Sequence, residues 1–145
     1  MFLGQYRHTF DEKYRLTIPA RFRELLADGA YVVQGFDRNL MVFTQETFGK
    51  ISQRLNRMNM TDPEVRQLKR LLYSSADRVE PDRAGRILIP QFLREVAILE
   101  DEAVIVGIGD YFEIWSPKMW QEQETILQDV AANAQRFAAF DLSAE

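Results

Sequence analysis

The sequence predicts a single α+β domain with an internal two-fold. Three observations lead there. The segment Asp11-Glu12-Lys13-Tyr14-Arg15-Leu16-Thr17-Ile18-Pro19-Ala20-Arg21-Phe22-Arg23-Glu24 returns, 71 residues later, as Asp82-Arg83-Ala84-Gly85-Arg86-Ile87-Leu88-Ile89-Pro90-Gln91-Phe92-Leu93-Arg94-Glu95. Short apolar strands and amphipathic helices follow each copy in the same order. No Gly/Ser/Pro-rich linker divides the copies, so they should share one core.

Each element has a local reason. The first strand of each copy, 15–18 or 86–89, alternates: Leu16 and Ile18 face one way, Arg15 and Thr17 the other. Pro19 and Pro90 suit a first helical position, where an N–H would go unused. A short helix then runs to about Leu26 or Ala97. Two strands follow in each copy, 30–34 with 40–43 and 103–108 with 111–115. Gly35 and Gly107-x-Gly109-Asp110 mark the turns between them. Matching Val32-Val33-Gln34-Gly35 to Val104-Ile105-Val106-Gly107 makes the offset 72 from there on, a single insertion before Val104.

Longer helices close the copies. Thr44 precedes Phe48, Ile51, Leu55 and Met58 at helical spacing, and Ser116-Pro117 opens the second as N-cap and first-turn proline. Between the copies, Thr61-Asp62-Pro63-Glu64 reads as a capping box ahead of Val65, Leu68 and Leu72. The expected organisation is a first repeat over 1–60, a connecting helix over 61–75, a second repeat over 76–137 and a C-terminal tail over 138–145. Two periods are too few for a solenoid, so the copies suggest a pseudo-dimer.

Composition bounds the function. At 46% hydrophobic, the 145 residues can build a core. There is no cysteine and a single histidine, His8, which excludes thiolate metal sites, disulfides and a cysteine nucleophile. A Ser/His/Asp triad would have to recruit His8 from an ordinary strand, where a surface or packing role suits it. Gly107-x-Gly109 lacks the third glycine of a dinucleotide loop. No catalytic group, metal site, cofactor or small-molecule substrate is expected. No stretch has the length and apolarity to span a bilayer, and the start does not read as a signal peptide, which fits a cytoplasmic protein.

The net charge of −4 is unevenly spread. Residues 121–145 carry Glu122, Glu124, Asp129, Asp141 and Glu145 against Arg136, which accounts for all of it. Residues 1–23 carry Arg7, Lys13, Arg15, Arg21 and Arg23 against Asp11 and Glu12, a local +3. Phosphate binding depends on local patches, so the overall sign does not exclude DNA.

The chemistry concentrates in Asp11-x-x-x-Arg15 and Asp82-x-x-x-Arg86. An Asp can close a turn by accepting backbone N–H groups two residues on, and Gly85 supplies positive φ before the strand resumes. Arg15 and Arg86 then sit beside the turns, with Lys13 and Arg83 at the tips. Guanidinium forks there suit phosphates and guanine edges. The other reading is that Asp11 and Asp82 merely brace their own Arg; the repetition of the spacing favours function. Tyr14 stands where the second copy has Gly85. A tyrosine at positive φ is strained, so the first turn should be altered, with Tyr14 stacking on a sugar or base, filling an oligomer contact, or lying in a reshaped loop. Arg66, Lys69 and Arg70 form either a solvated helix face or a second DNA surface. Phe48, Trp115 and Trp120 read as core or subunit-interface aromatics. The tail pattern Ala131, Ala132, Ala134, Phe137 and Phe140 either docks on a neighbour or frays.

The opening Met1-Phe2-x-Gly4-x-Tyr6-x-His8-Thr9-x-Asp11-x-Lys13-x-Arg15-Leu16, the run Ile18-Pro19-Ala20-Arg21-Phe22-Arg23-Glu24, Gly85-Arg86-Ile87-Leu88-Ile89-Pro90 and Glu113-Ile114-Trp115 resemble the MraZ family over residues 1 to about 125. The halves of that family are similar to the AbrB/SpoVT swapped-hairpin DNA-binding domain. The resemblance implies a pseudo-two-fold, swapped-hairpin, AbrB-like β-barrel with flanking helices. It implies a cytoplasmic or nucleoid-associated, sequence-specific DNA-binding regulator of the division and cell-wall gene cluster, its own promoter included, with repression as the family expectation. It also implies a ring-shaped homo-oligomer on double-stranded promoter DNA with short tandem repeats. DNA contact would fall to Arg15 and Arg86, with Lys13 and Arg83 beside them; Arg7 and Arg78 follow from their matching places in the copies. The family usually has Gly before the Arg in both copies, and Tyr14 departs from that. The alternative is a swapped-hairpin protein-interaction or antitoxin-like module.

Overall fold

The computed structural model describes residues 1–144. Glu145, the end of the expected tail, lies outside the described residues. The elements run β1 (Gln5–Thr9), β2 (Arg15–Thr17), α1 (Ala20–Arg23) continued by a 3-10 turn (Glu24–Leu26), β3 (Ala30–Gln34), β4 (Leu40–Thr44), α2 (Gln45–Arg57), α3 (Pro63–Ser75), β5 (Asp77–Val79), β6 (Arg86–Leu88), α4 (Gln91–Val96), β7 (Glu102–Gly107), β8 (Tyr111–Trp115), α5 (Pro117–Leu127) and α6 (Val130–Arg136).

Six strands form one antiparallel sheet in the order β1-β7-β8-β4-β3-β5, and β2 pairs with β6 in a separate two-stranded ribbon. The order is symmetric about the β8–β4 pair. It also shows an exchange: β1 of the first copy pairs with β7 of the second, and β5 of the second pairs with β3 of the first. The fold is thus α+β with antiparallel sheets. Among the described residues, the six-stranded order ends on β1 and β5, and the hydrogen-bonded ladder does not close into a ring.

The inner face of the large sheet packs on the ribbon and the two short helices. Leu16, Ile18, Phe22 and Val32 from the first copy meet Ile87, Ile89, Leu93, Ile105, Phe112 and Ile114 from the second in one cluster. Phe22 is 1% exposed, with ring centroids 5.0 Å from Phe2 and 5.2 Å from Phe112. Burying such a ring stabilises by about 1.5–3 kcal/mol. Neither half can complete this core alone, which is why no linker separates them. On the outer face, Val33, Met41 and Phe43 are covered by Leu55 of α2 and Leu72 of α3, while Val104, Val106 and Trp115 are covered by Trp120 of α5. Phe48 packs beside Phe43 and stacks on Tyr31 at 4.4 Å. Trp115 and Trp120 are therefore core residues within this chain, and Phe48, half-buried, packs against its core.

Helix starts follow side-chain chemistry, with two departures from the sequence reading. Thr44 Oγ1 accepts from Thr47 N at 3.1 Å and Ser116 Oγ from Met119 N at 3.2 Å, as N-caps do. The connecting helix is capped instead by Asp62, whose Oδ1 accepts from Glu64 N at 2.9 Å; Thr61 turns back to Asn59. Pro63 at the first helical position fixes that frame, so Thr61 lies one residue too early for a capping box. Pro19 and Pro90 are themselves the N-caps, with ψ of 140° and 151°, and α1 and α4 begin one residue later. Their extended ψ carries the end of the preceding strand straight into the helix.

The pairing also corrects the alignment of the copies. Tyr6 stands opposite Ile105, and its counterpart Asp77 stands opposite Val32. Val32 therefore matches Ile105, not Val104, and the offset in this strand is 73. Val32 lies in the inner core and Val104 on the outer face. A one-residue slip exchanges the faces of a strand. The offset returns to 72 in the next strand because the turn between Gly107 and Phe112 is one residue shorter than that between Gln34 and Leu40.

Candidate nucleic-acid interface

The two Asp-x-x-x-Arg turns are built alike. In the first, Tyr14 N donates to Asp11 O at 3.0 Å, and Asp11 Oδ1 accepts from Lys13 N and Arg15 N, both at 2.9 Å. In the second, Gly85 N donates to Asp82 O at 2.9 Å, and Asp82 Oδ1 accepts from Ala84 N and Arg86 N, both at 2.9 Å. Tyr14 adopts φ 59° and Gly85 φ 77°. The expected alteration of the first turn is thus absent: tyrosine enters the left-handed region and keeps the glycine geometry. The compensation is a cation–π contact, with the Arg94 guanidinium carbon 3.6 Å from the Tyr14 ring centroid. Such a contact is worth roughly 0.5–2 kcal/mol, the same order as the roughly 1–3 kcal/mol cost of a strained backbone.

β2 and β6 then bring the two turns together. Arg15 stands opposite Leu88 and Thr17 opposite Arg86, so both arginines leave the ribbon on its outer side. Each holds its own aspartate: Arg15 Nε to Asp11 Oδ2 at 2.7 Å, and Arg86 Nε to Asp82 Oδ2 at 3.0 Å. They also cross the two-fold. Arg86 Nη1 reaches Asp11 Oδ2 at 3.2 Å, and Arg15 Nη1 lies 4.0 Å from Asp82 Oδ2. The four side chains form one cluster, with about a third of each arginine still open to solvent (32% and 29%). A groove of about 420 Å³ beside it is lined by Phe10, Asp11, Glu12, Lys13, Arg15 and Arg86.

The carboxylates are held below the ordinary range. For Asp11 the Arg15 backbone N–H contributes most; partial desolvation opposes it, and the Arg15 side chain and Lys13 N–H add to it. For Asp82 the Arg86 backbone N–H leads in the same way. Both are therefore anionic near neutrality, where the cluster is electrically balanced.

The other expected bases divide. Lys13 and Arg83 are exposed at the tips of the two turns. Arg7 and Arg78 are not brought to the ribbon. They stand on edge strands β1 and β5, opposite Val104 and Tyr31, and so share the outer face of the large sheet with the long helices. Arg7 lies 3.6 Å from Glu102, while Arg78 lies 2.8 Å from Glu80 and donates to Asp28 O at 3.3 Å. On α3, Arg66 donates to Met60 O and Arg70 to Gln67 Oε1, contacts internal to that region.

Two arginines at this site were not singled out from the sequence. Arg23 Nε donates to Ile18 O at 2.7 Å and Arg94 Nε to Ile89 O at 3.0 Å. Their signal was available, since they occupy the same place in the two copies at the offset of 71. The turn residues 11–15 and 82–86 carry a net +1; Arg23 and Arg94 raise the neighbourhood to +3.

Comparison with known proteins decides the family. Two successive matches to a family model described as "MraZ protein, putative antitoxin-like" cover residues 1–71 and 72–141. The chain belongs to the MraZ family. The two MraZ repeats meet within α3. Among similar proteins are transcriptional regulators MraZ from Roseiflexus castenholzii (49% identical, covering 95% of this chain and 94% of that protein), Herpetosiphon aurantiacus (38%, 98% and 100%) and Ligilactobacillus salivarius (42%, 92% and 96%). A MraZ chain is not an enzyme. Among the described residues no helix is long and apolar enough to cross a membrane.

Proposed function

We propose that this chain is a sequence-specific DNA-binding transcriptional regulator, and that it meets double-stranded DNA with the outer side of the β2–β6 ribbon. The observation that carries this is the pairing of two identically built turns, which set Arg15, Arg86, Lys13 and Arg83 on one surface across a two-fold. Two-fold related guanidiniums match the repeated phosphates and base edges of a duplex. Arg7 and Arg78 are left out of this surface by their position on the outer face. The names of the relatives support regulation as the outcome.

The exchange of β1 and β5 supports a swapped-hairpin, AbrB-like description of the fold, with repeats over 1–60 and 76–137, the connecting helix over 61–75 and the tail over 138–145. Regulation of the division and cell-wall gene cluster, its own promoter included, repression as the output, a place in the cytoplasm on the nucleoid, and a ring-shaped homo-oligomer engaging short tandem repeats belong to the same reading. In a ring, linked weak contacts multiply into avidity.

The test is footprinting on the promoter of the chain's own gene cluster. The wild type should protect short repeated sites, and Arg15→Ala with Arg86→Ala should abolish protection while thermal unfolding stays cooperative. Full protection by the double variant would refute the assigned surface. A second reading, grip of a protein partner by the tail, is favoured only by exposed Val130, Phe137, Phe140 and Leu142. It would gain if removal of residues 128–145 left DNA protection intact but abolished a specific protein contact.

A further inference from the structure

Across the two-fold, each turn is covered by an arginine from the other repeat. Ile18 N donates to Gly85 O at 2.8 Å, and Ile18 O accepts Arg23 Nε. Arg23 is thereby laid over Gly85 so closely that a Cβ there would meet its Nε at 2.1 Å. The mirror set is Ile89 N to Tyr14 O at 3.2 Å, Ile89 O to Arg94 Nε, and Arg94 over Tyr14. The chemistry differs at one point. Over Gly85 the guanidinium fills the space of the missing side chain, and Gly85 is buried. Over residue 14 the guanidinium lies against the phenol ring of a tyrosine that is 47% exposed as a residue.

We propose that Arg23 and Arg94 are positioning residues that each fix the DNA-facing turn of the opposite repeat, and that Tyr14, immobilised on Arg94, sets the sequence preference of the first turn alone. This rests on the DNA-binding reading above. The physical reason is reach. Arg15 N–H and Arg86 N–H are fixed to their aspartates in the same way, so the two arginines start from equal positions. At the exposed tips the turns differ as Glu12-Lys13 against Arg83-Ala84; under the covering arginine the difference is the ring of Tyr14 against the bare backbone of Gly85. An aromatic surface beside a guanidinium favours apolar partners such as a deoxyribose or a thymine methyl; a glycine turn lets the duplex backbone approach closely.

Selection from a pool of random-sequence duplexes tests this with the full-length chain. The wild type should enrich a site with two distinguishable halves. Tyr14→Gly should change base preferences by fivefold or more in one half and leave the other within twofold, and Arg94→Gln should alter the same half. Arg23→Gln should alter the other half, and Tyr14→Phe, which keeps the ring, should restore the wild-type site. Cooperative thermal unfolding of each variant separates this from loss of fold; a merely structural role would weaken both halves alike. Unchanged preferences in Tyr14→Gly, or changes spread over both halves, would overturn the proposal. No enrichment by the wild type would overturn the DNA-binding reading itself.

Discussion

Salt dependence gives the surface a number. Each phosphate neutralised by a protein cation contributes about −0.9 to the slope of log affinity against log salt. The ribbon surface offers Lys13, Arg15, Arg83 and Arg86 per protomer, so the expected slope is about −3.6 per bound protomer. Affinity then falls roughly 150-fold between about 50 and 200 mM salt. Lys13→Ala with Arg83→Ala removes two cations whose side chains form no ion pair among the described residues, which should halve the slope to about −1.8 and the fall to roughly 12-fold. Arg7→Ala with Arg78→Ala should leave the slope where it is, because those side chains lie on the other face beside Glu102 and Glu80. The assay is fluorescence anisotropy on a selected duplex at five or so salt concentrations. An unchanged slope in the Lys13/Arg83 variant, or an equal drop in the Arg7/Arg78 variant, would refute the assignment. The wild-type slope carries its own information. A value near −1.8 would mean that Arg15 and Arg86 keep their aspartates on DNA and serve as braces only.

Two further outcomes follow from the fold. Phe22→Ala should cost about 3–5 kcal/mol, the usual penalty for emptying an aromatic site in a core. Because Phe22 of one repeat packs on Phe112 of the other, chemical denaturation should still show a single transition; a surviving second transition would contradict a shared core. The aspartates give the pH behaviour. Their folded pKa values are depressed, so they stabilise the fold above the unfolded carboxylate range and lose that contribution as pH falls below about 4. Asp11→Asn with Asp82→Asn should therefore lower the melting temperature near pH 7, and the deficit should shrink as pH falls below about 4; a deficit that does not change with pH would count against this.

Much of this was written in the sequence, and the gaps have physical causes. The repeat was legible because turn, strand and proline impose residue types: Asp to close the turn, a small or strained residue after it, alternation in the ribbon. The register of β3 and β7 was not. Both faces of the large sheet are covered, so the apolar residues in Val32-Val33 and Val104-Ile105-Val106 do not alternate, and similarity alone slid the strands by one. The Tyr14 turn is not legible in the sequence because its compensation comes from Arg94, 80 positions away and in the other repeat. Arg7 and Arg78 match each other in the two copies, and that match alone brings them into the expected site. Only strand pairing reveals that alternation turns them to the outer face.

The electrically balanced cluster raises the question of how a neutral set of side chains engages a polyanion. Asp11 and Asp82 are each secured by two backbone N–H groups through one carboxylate oxygen, while the arginines hold only the other oxygen. An arginine that turns towards a phosphate therefore leaves a turn that is still closed. The aspartate keeps its backbone bonds, and its charge stays solvated because the site is partly open. In a buried ion pair, by contrast, removing one partner strands the other at a cost of several kcal/mol. The exchange of carboxylate for phosphate is thus close to balanced, and small geometric differences decide it. That makes the covering arginines consequential. Arg23 and Arg94 do not add contacts; they fix the angle from which Arg86 and Arg15 leave their turns. Since one of them rests on glycine and the other on tyrosine, the two exchanges need not be equal, and a chain built on a two-fold can read a duplex that is not.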